Sequence, residues 1–292
     1  MKKRLTAFDA VVYLLLAIFS LLCLVPLLNT LALSFSSSVM ASSGTVSFWP
    51  KQFTLAAYEA IVGEKQFFGA FWISIKRVVL GGTINFLMMV LCAFPLAHSE
   101  KAFRGRNVYM YFLIFTMLFS GGLVPTYIIV GKMGLMNTLW ALILPGAVPV
   151  WNCILLMNFF RSLPDELEEA AIIDGAVPIQ ILVRIYLPVS LPSLATVMLF
   201  CLVGHWNEFF SGLIYMNHSD NYPLATYIST IVDSAKDLNL ITDPEEIERI
   251  MKVSERNMSS AKIFVSMIPI LIIYPFLQRY FVKGIVLGSV KG

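Results

Sequence analysis

Residues Leu163–Pro192 read LPDELEEAAIIDGAVPIQILVRIYLPVSLP, a polar stretch set between two long apolar runs. Five acids, Asp165, Glu166, Glu168, Glu169 and Asp174, fall within ten residues of a chain in which only 13% of residues are charged. Ionised side chains are costly in hydrocarbon, so this cluster protrudes from a bilayer as a structured element. Ser162 is placed to cap a helix whose first turn holds Pro164, Asp165 and Glu166, acids suited to the positive end of the helix dipole. Leu163, Leu167, Ala170 and Ala171 recur at helical spacing and give one small, apolar side, while Glu166 and Glu169 offer charge for pairing. Gly175 suits the position just past a helix end, where positive φ is needed. A second short helix is expected over Pro178–Tyr186, stopped by Leu187-Pro188. The product is a helix–turn–helix over 162–190, too short and too charged to span. A helix adsorbed on lipid carries Lys and Arg. Here Arg184 stands alone against the five acids, so a protein partner is expected instead.

The rest of the chain is of a different character. Its 292 residues are 58% hydrophobic, with a mean hydropathy of +0.78. Charged residues make up about a quarter of an ordinary soluble domain, so this composition excludes that class. A helix needs about 20 apolar residues to cross a bilayer. Six runs qualify: about Ala10–Leu33, Val78–His98, Val108–Gly131, Thr138–Phe160, Leu191–Met216 and Lys262–Val282. Runs this long are helical and not the alternating strands of a barrel. The expected fold is all-α, a polytopic membrane protein with six transmembrane helices in a single domain over residues 1–292. The first run follows Lys2, Lys3 and Arg4 but exceeds the 7–15 residues of a signal-peptide core, so it is read as a spanning helix. The basic clusters Lys2–Arg4 and Lys101–Arg106 favour a cytoplasmic N-terminus. Six spans then return the C-terminus, and the acidic loop, to the cytoplasmic side. Cys23, Cys92, Cys153 and Cys201 all lie in apolar runs without a C-x-x-C pair and read as small packing residues. The net charge of +3 is spread over loops and indicates no nucleic-acid partner.

Polar groups inside spans are functional candidates. His205, Trp206, Asn207 and Glu208 follow one another in the fifth run, and His205 and Glu208, three apart, share a face. Three readings stand for them: the lining of a path for hydroxyl-rich ligands, which aromatic faces and amide or carboxylate groups suit, interhelical hydrogen bonding, or a metal or proton-transfer site, for which no third ligand has a fitting spacing. Trp151-Asn152 is a second polar–aromatic spot, with packing as its alternative. Gly121-Gly122 and Pro125 weaken the third run, as a pivot or as a close helix contact. Lys76 and Arg77 are expected to snorkel at the outer interface. Of the outer loops, 217–260 holds Asp243-Pro244-Glu245-Glu246, a helix start with a capping-box pattern. Loop 34–71 holds Trp49-Pro50 and a short helix expected from Thr54.

The chain carries no G-x4-G-K-[ST], H-E-x-x-H or G-x-S-x-G, so neither nucleotide binding by a Walker loop nor hydrolytic chemistry is expected of it, and no metal site is expected. An ion-coupled secondary transporter or channel would call for acids in several spans or inverted repeats. Glu208 is the one carboxylate within the apolar core of a run.

Glu169-Ala170-Ala171, three residues, Gly175, nine residues, then Ile185-x-Leu187-Pro188 resembles the EAA loop of membrane subunits of binding-protein-dependent ABC importers. Asp174-Gly175-Ala176, the preceding Phe160-Arg161-x-Leu163-Pro164, Trp206-Asn207-Glu208-Phe209 and the terminal Lys283–Gly292 further resemble the carbohydrate-uptake, maltose second-permease-like branch. Within it the likeness is greatest to the subgroup for oligosaccharide, rhamnogalacturonan and alginate fragments. The resemblance implies a type I importer fold and a bacterial cell-membrane location. It also implies a non-catalytic role beside a second related permease, two cytoplasmic ATPase subunits that bind ATP and Mg, and an extracellular or periplasmic solute-binding protein delivering sugar. Carried over, Glu169 would pair with a basic residue of the ATPase, Ala170 and Ala171 would seat in its cleft, and Gly175 would permit the turn. Ala176, Ile185, Leu187 and Pro188 would complete the coupling loop. The tail, 283–292 with Gly288, Lys291 and Gly292, would reach between the ATPases. An importer of a non-sugar solute is the alternative within the same family.

Overall fold

The computed structural model describes residues 6–236 and 256–289, and among these every regular element is helical. In chain order they are α1 (Ala7–Ser34), α2 (Ser38–Ser42), α3 (Ala56–Gly63), α4 (Lys65–Ala97), α5 (Arg106–Leu118), α6 (Leu123–Lys132), α7 (Leu139–Ile143), α8 (Val150–Phe160), α9 (Asp165–Ile173), α10 (Pro178–Val189), α11 (Leu191–Asn207), α12 (Phe210–Tyr215), α13 (Leu224–Lys236) and α14 (Arg256–Ser289). Three helices, α1, α4 and the Arg256–Pro275 part of α14, are each long and apolar enough to cross a membrane. Six spans result if bent pairs count as one: α5 with α6 (111°), α7 through Gly146 with α8 (47°), and α10 with α11 (84°).

The bends have local causes. Between α5 and α6, Gly122 takes a φ of +87°, a conformation open to glycine, after Ser120-Gly121. Between α7 and α8 the chain passes Pro145 and Pro149, neither of which can donate to a helical ladder. Between α10 and α11 the chain turns at Ser190, whose φ of −92° and ψ of 6° leave the helical region just before Pro192. The fifth run divides again at Glu208, whose extended ψ of 115° ends α11 before α12 begins.

Two boundaries depart from the expected ones. The second span begins at Lys65 instead of Val78, so loop 34–71 is helical from Ala56 except at Glu64. Neither Lys76 nor Arg77 interrupts the helix: Lys76 lies 5.7 Å over the Trp72 ring, and Arg77 turns inward. At the other end of the chain, the stretch expected as a tail continues α14 through Gly288 to Ser289. Lys291, Gly292, Lys2–Arg4 and the Asp243–Glu246 helix start lie outside the described residues.

The chain forms two compact units, residues 1–68 with 227–268 and residues 69–226 with 269–292. In the first, Lys262 is 1% exposed, with its Nζ 2.8 Å from Glu64 Oε1 and 2.9 Å from Tyr227 Oη. The Tyr227 hydroxyl also donates to Glu64, and burial, then this carboxylate, raise its phenol pKa. The second unit has a core with helical spacing: Met89, Val90, Ala93 and Leu96 of α4, Cys153, Leu156, Met157 and Phe160 of α8, and Leu194, Val197 and Cys201 of α11. Burying one stripe of each helix leaves the opposite face of each for lipid or for another chain.

Candidate functional site

Within the second unit a cavity of about 510 Å³ is lined by Arg77 and Asn85 of α4, Asn152 of α8, His205 and Glu208 at the end of α11, and Ser211 and Tyr215 of α12. It lies where the fourth and fifth spans are broken, and α4 holds the loose ends. Breaking a helix in a membrane frees carbonyls that must find donors inside the protein. Arg77 Nη1 donates to the Glu208 carbonyl at 2.9 Å, and Nη2 to that of Leu142 at 3.3 Å. Asn85 Nδ2 lies 2.9 Å from both the Gly146 and Ala147 carbonyls. With its amide nitrogen so committed, Asn85 turns Oδ1 to His205 Nε2 at 2.8 Å, so the histidine carries its proton there. The imidazole lies against the α4 backbone at Gly81, where a Cβ would come within 2.6 Å of Nε2.

The Glu208 side chain is held as firmly. Oε2 receives Arg77 Nη2 at 2.5 Å and the Ser211 hydroxyl, and Oε1 receives the Ser211 amide at 2.8 Å. Snorkelling is thus corrected for Arg77. The helix begins more than three turns earlier than expected, which carries Arg77 inward to a site where it is 3% exposed. Of the path candidates, His205, Glu208 and Asn152 meet at the cavity, whereas Trp151, Trp206 and Asn207 do not line it. Trp151 is 62% exposed on α8, Trp206 is buried edge-on to Phe71, and Asn207 is exposed at the end of α11. Asn152 is itself committed, donating to Cys201 Sγ at 3.1 Å. Sequence reasoning missed Asn85, Ser211 and Tyr215. A signal for Asn85 was available in an amide placed within an otherwise apolar stretch of the second run.

The acidic loop lies at the other end of α4. Helix α9 closes as the spacing requires: Gly175 has φ +77°, its amide bonds the Ile172 carbonyl at 3.0 Å, and the Ala176 amide bonds Ala171 at 2.9 Å. These paired bonds are the Schellman arrangement. Ser162 does not cap the helix. Its hydroxyl donates back to the Phe159 carbonyl at 2.7 Å, and Pro164 takes the cap position. Nor does Leu187-Pro188 stop α10, which continues to Val189 because Leu182–Tyr186 widens into a π-helical turn that accommodates the proline ring. Asp165, Glu166, Glu169, Ala170 and Asp174 are exposed, as are Leu167, Ile172 and Ile173, the last at 85%. Ala171 was expected in a partner's cleft. It instead turns into the chain's own core, 8% exposed, with Ile181, Leu182 and Tyr186, while Ile185 and Leu187 pack beside them. Glu168 also turns inward: its Oε1 lies 2.8 Å from His98 Nε2 and its Oε2 accepts the Tyr186 hydroxyl at 2.5 Å.

A polar cavity at broken spans and an exposed acidic helix outside them make a transporter subunit the natural comparison. Residues 2–287 match the family described as binding-protein-dependent transport system inner membrane component. The chain belongs to that family. This permease is 37% identical over 292 residues, all of both chains, to the polygalacturonan/rhamnogalacturonan transport system permease protein YtcP of Bacillus subtilis. It is 28% identical to the arabinooligosaccharides transport system permease protein AraQ of Halalkalibacterium halodurans, over 94% of each chain. Among solved structures, a chain of a bacterial ABC transporter involved in the import of the acidic polysaccharide alginate superposes with a TM-score of 0.83 at 30% identity. That match covers 94% of the permease and 96% of the other chain. The permease is accordingly a non-catalytic inner-membrane subunit with the type I ABC importer fold.

Proposed function

We propose that the permease imports sugars, oligosaccharides foremost, by alternating access, as one 1–292 domain paired with a second related permease. Two cytoplasmic ABC ATPases bind ATP and Mg and grip one coupling loop from each permease, and a solute-binding protein delivers the cargo from outside. Both termini are cytoplasmic. The observation that carries this reading is the outer face of α9, where Ile172 and Ile173 stand exposed among Asp165, Glu166, Glu169 and Asp174. A face both apolar and acidic suits neither lipid nor bulk water, and fits a protein groove with basic residues. Support for sugar comes from the cavity, whose amide, imidazole, hydroxyl and carboxylate groups match hydroxyl-rich ligands, and from the cargo named for the relatives.

In this mechanism ATP binding draws the ATPases together, the coupling loops move, and the broken spans rearrange around the cavity. ATP supplies the difference in affinity between the outward- and inward-facing states. Purification from native membranes with mass spectrometry tests the assembly: an ATPase and a second permease should accompany the chain, and its recovery alone would overturn the reading. In the assembled transporter, Gly175→Asp or Glu169→Lys should uncouple ATP hydrolysis from uptake. Normal uptake by either variant would remove the coupling role.

A further inference from the structure

The acidic loop and the cavity are held by opposite ends of one helix. At the cytoplasmic end, His98 follows the last residue of α4. Its Nδ1 lies 2.7 Å from the Phe94 carbonyl, which can only accept, so Nδ1 donates there. Its Nε2 faces Glu168 of α9 at 2.8 Å, and the other oxygen of that carboxylate takes the Tyr186 hydroxyl of α10. The Tyr186 hydroxyl is the donor of that bond, since a carboxylate can only accept. One carboxylate thus ties both arms of the loop to α4. The rings of Phe94, His98 and Phe160 surround Tyr186, two of them edge-on at 5.0 and 5.3 Å. This is a partly buried clasp and not a solvated surface pair, since His98 and Glu168 side chains are 17% and 22% exposed.

About 20 to 30 Å away along the same helix, at 1.5 Å per residue, Asn85 and Arg77 hold the carbonyls of Leu142, Gly146, Ala147 and Glu208. We propose that α4 transmits displacement of the coupling loop to the broken spans of the cavity, with His98 as the positioning residue that fastens the loop to it. The inference rests on the importer reading above. Glu166 and Glu169 engage the driving partner, Glu168 faces inward to take up the motion, and the guanidinium and amide at the far end pull on the backbone that lines the path. Coupling needs such a physically continuous element with discrete contacts at each end.

The test uses the complete transporter from native membranes, reconstituted with its binding protein, and reads ATP hydrolysed per sugar imported. His98→Ala should raise that ratio by about twofold to thirtyfold, the range over which single residues modulate coupling. His98→Gln, whose amide can donate to Glu168, should restore most of it. An unchanged ratio in His98→Ala overturns the inference, as does a variant that only lowers the yield of assembled complex while the survivors couple normally. Should His98→Ala not assemble, Asn85→Leu at the other end of α4 reads the same ratio, with the same two outcomes. If no ATPase accompanies the chain, the importer reading fails and the inference with it. If the ATPase is present and the ratio does not move, the inference alone fails.

Discussion

Arg77 and Glu208, 131 residues apart, share one guanidinium in two ways: Nη2 lies 2.5 Å from the Glu208 carboxylate, and Nη1 lies 2.9 Å from the Glu208 carbonyl. The same side chain therefore neutralises a charge within the membrane and satisfies the backbone that the break in the fifth span leaves open. A guanidinium suits both tasks because its donors form a rigid planar fork, whereas an ammonium is a single point charge.

Removing one partner of a fully buried pair costs about 3–5 kcal/mol, and with the Glu208 side chain 36% exposed and still held by Ser211 the loss here is a fraction of that. Arg77→Met should therefore lower the thermal stability of the detergent-solubilised permease. Arg77→Lys should recover only part of it, because one ammonium cannot reach the Leu142 and Glu208 carbonyls together. Arg77→Met with Glu208→Leu should recover more than either single variant. The temperature at which the monodisperse peak halves on size-exclusion chromatography checks the order. Wild-type stability in Arg77→Met would refute the assigned role.

Gly81 makes a separate demand. Its φ is ordinary, and what it supplies is space for His205, since a Cβ would stand 2.6 Å from Nε2 and 2.7 Å from Cε1. Gly81→Ala should push the imidazole off Asn85 and cost about 1–3 kcal/mol, as overpacking does. Because the obstruction is the ring itself, His205→Ala in the same chain should relieve the strain. Additive losses in the double variant, measured by the same melting assay, would show that the two residues do not meet.

The composition and the six apolar runs made the all-α membrane fold legible, and the EAA spacing made the loop legible down to the turn at Gly175. These are local signals, in which hydropathy and backbone conformation are decided by neighbours in sequence. The misreadings concern residues whose partners are distant. Arg77 reads as an interfacial snorkel because nothing near it shows that Glu208 will arrive beside it. Asn85 finds its role only when the break between α7 and α8 frees the carbonyls of Gly146 and Ala147. Glu168 and Glu169 are indistinguishable as adjacent acids, yet about 100° of helical rotation sends one to His98 and the other outward. Ser162 carried a capping pattern, but Pro164 takes the cap position and the Ser162 hydroxyl turns back to the Phe159 carbonyl beside its own amide.

Gly175 tests the loop by backbone conformation alone. Its φ of +77° is unfavourable for residues with a Cβ, by about 1–2 kcal/mol in the left-handed region. No atom lies within 4 Å of where that Cβ would stand, so the cost carries no steric share from this chain. Stability should thus follow Gly, then Asn, then Ala, then Val, because Asn tolerates this conformation best among the replacements and a β-branched residue least. In detergent the isolated permease should show only this shallow gradient. If Gly175→Ala instead destabilises the isolated chain as severely as Gly175→Val, the turn is packed against something, and the open approach to the end of α9 is wrong. If uptake by the assembled transporter falls far more steeply along the series than stability does, the space beside Gly175 is where a partner closes in.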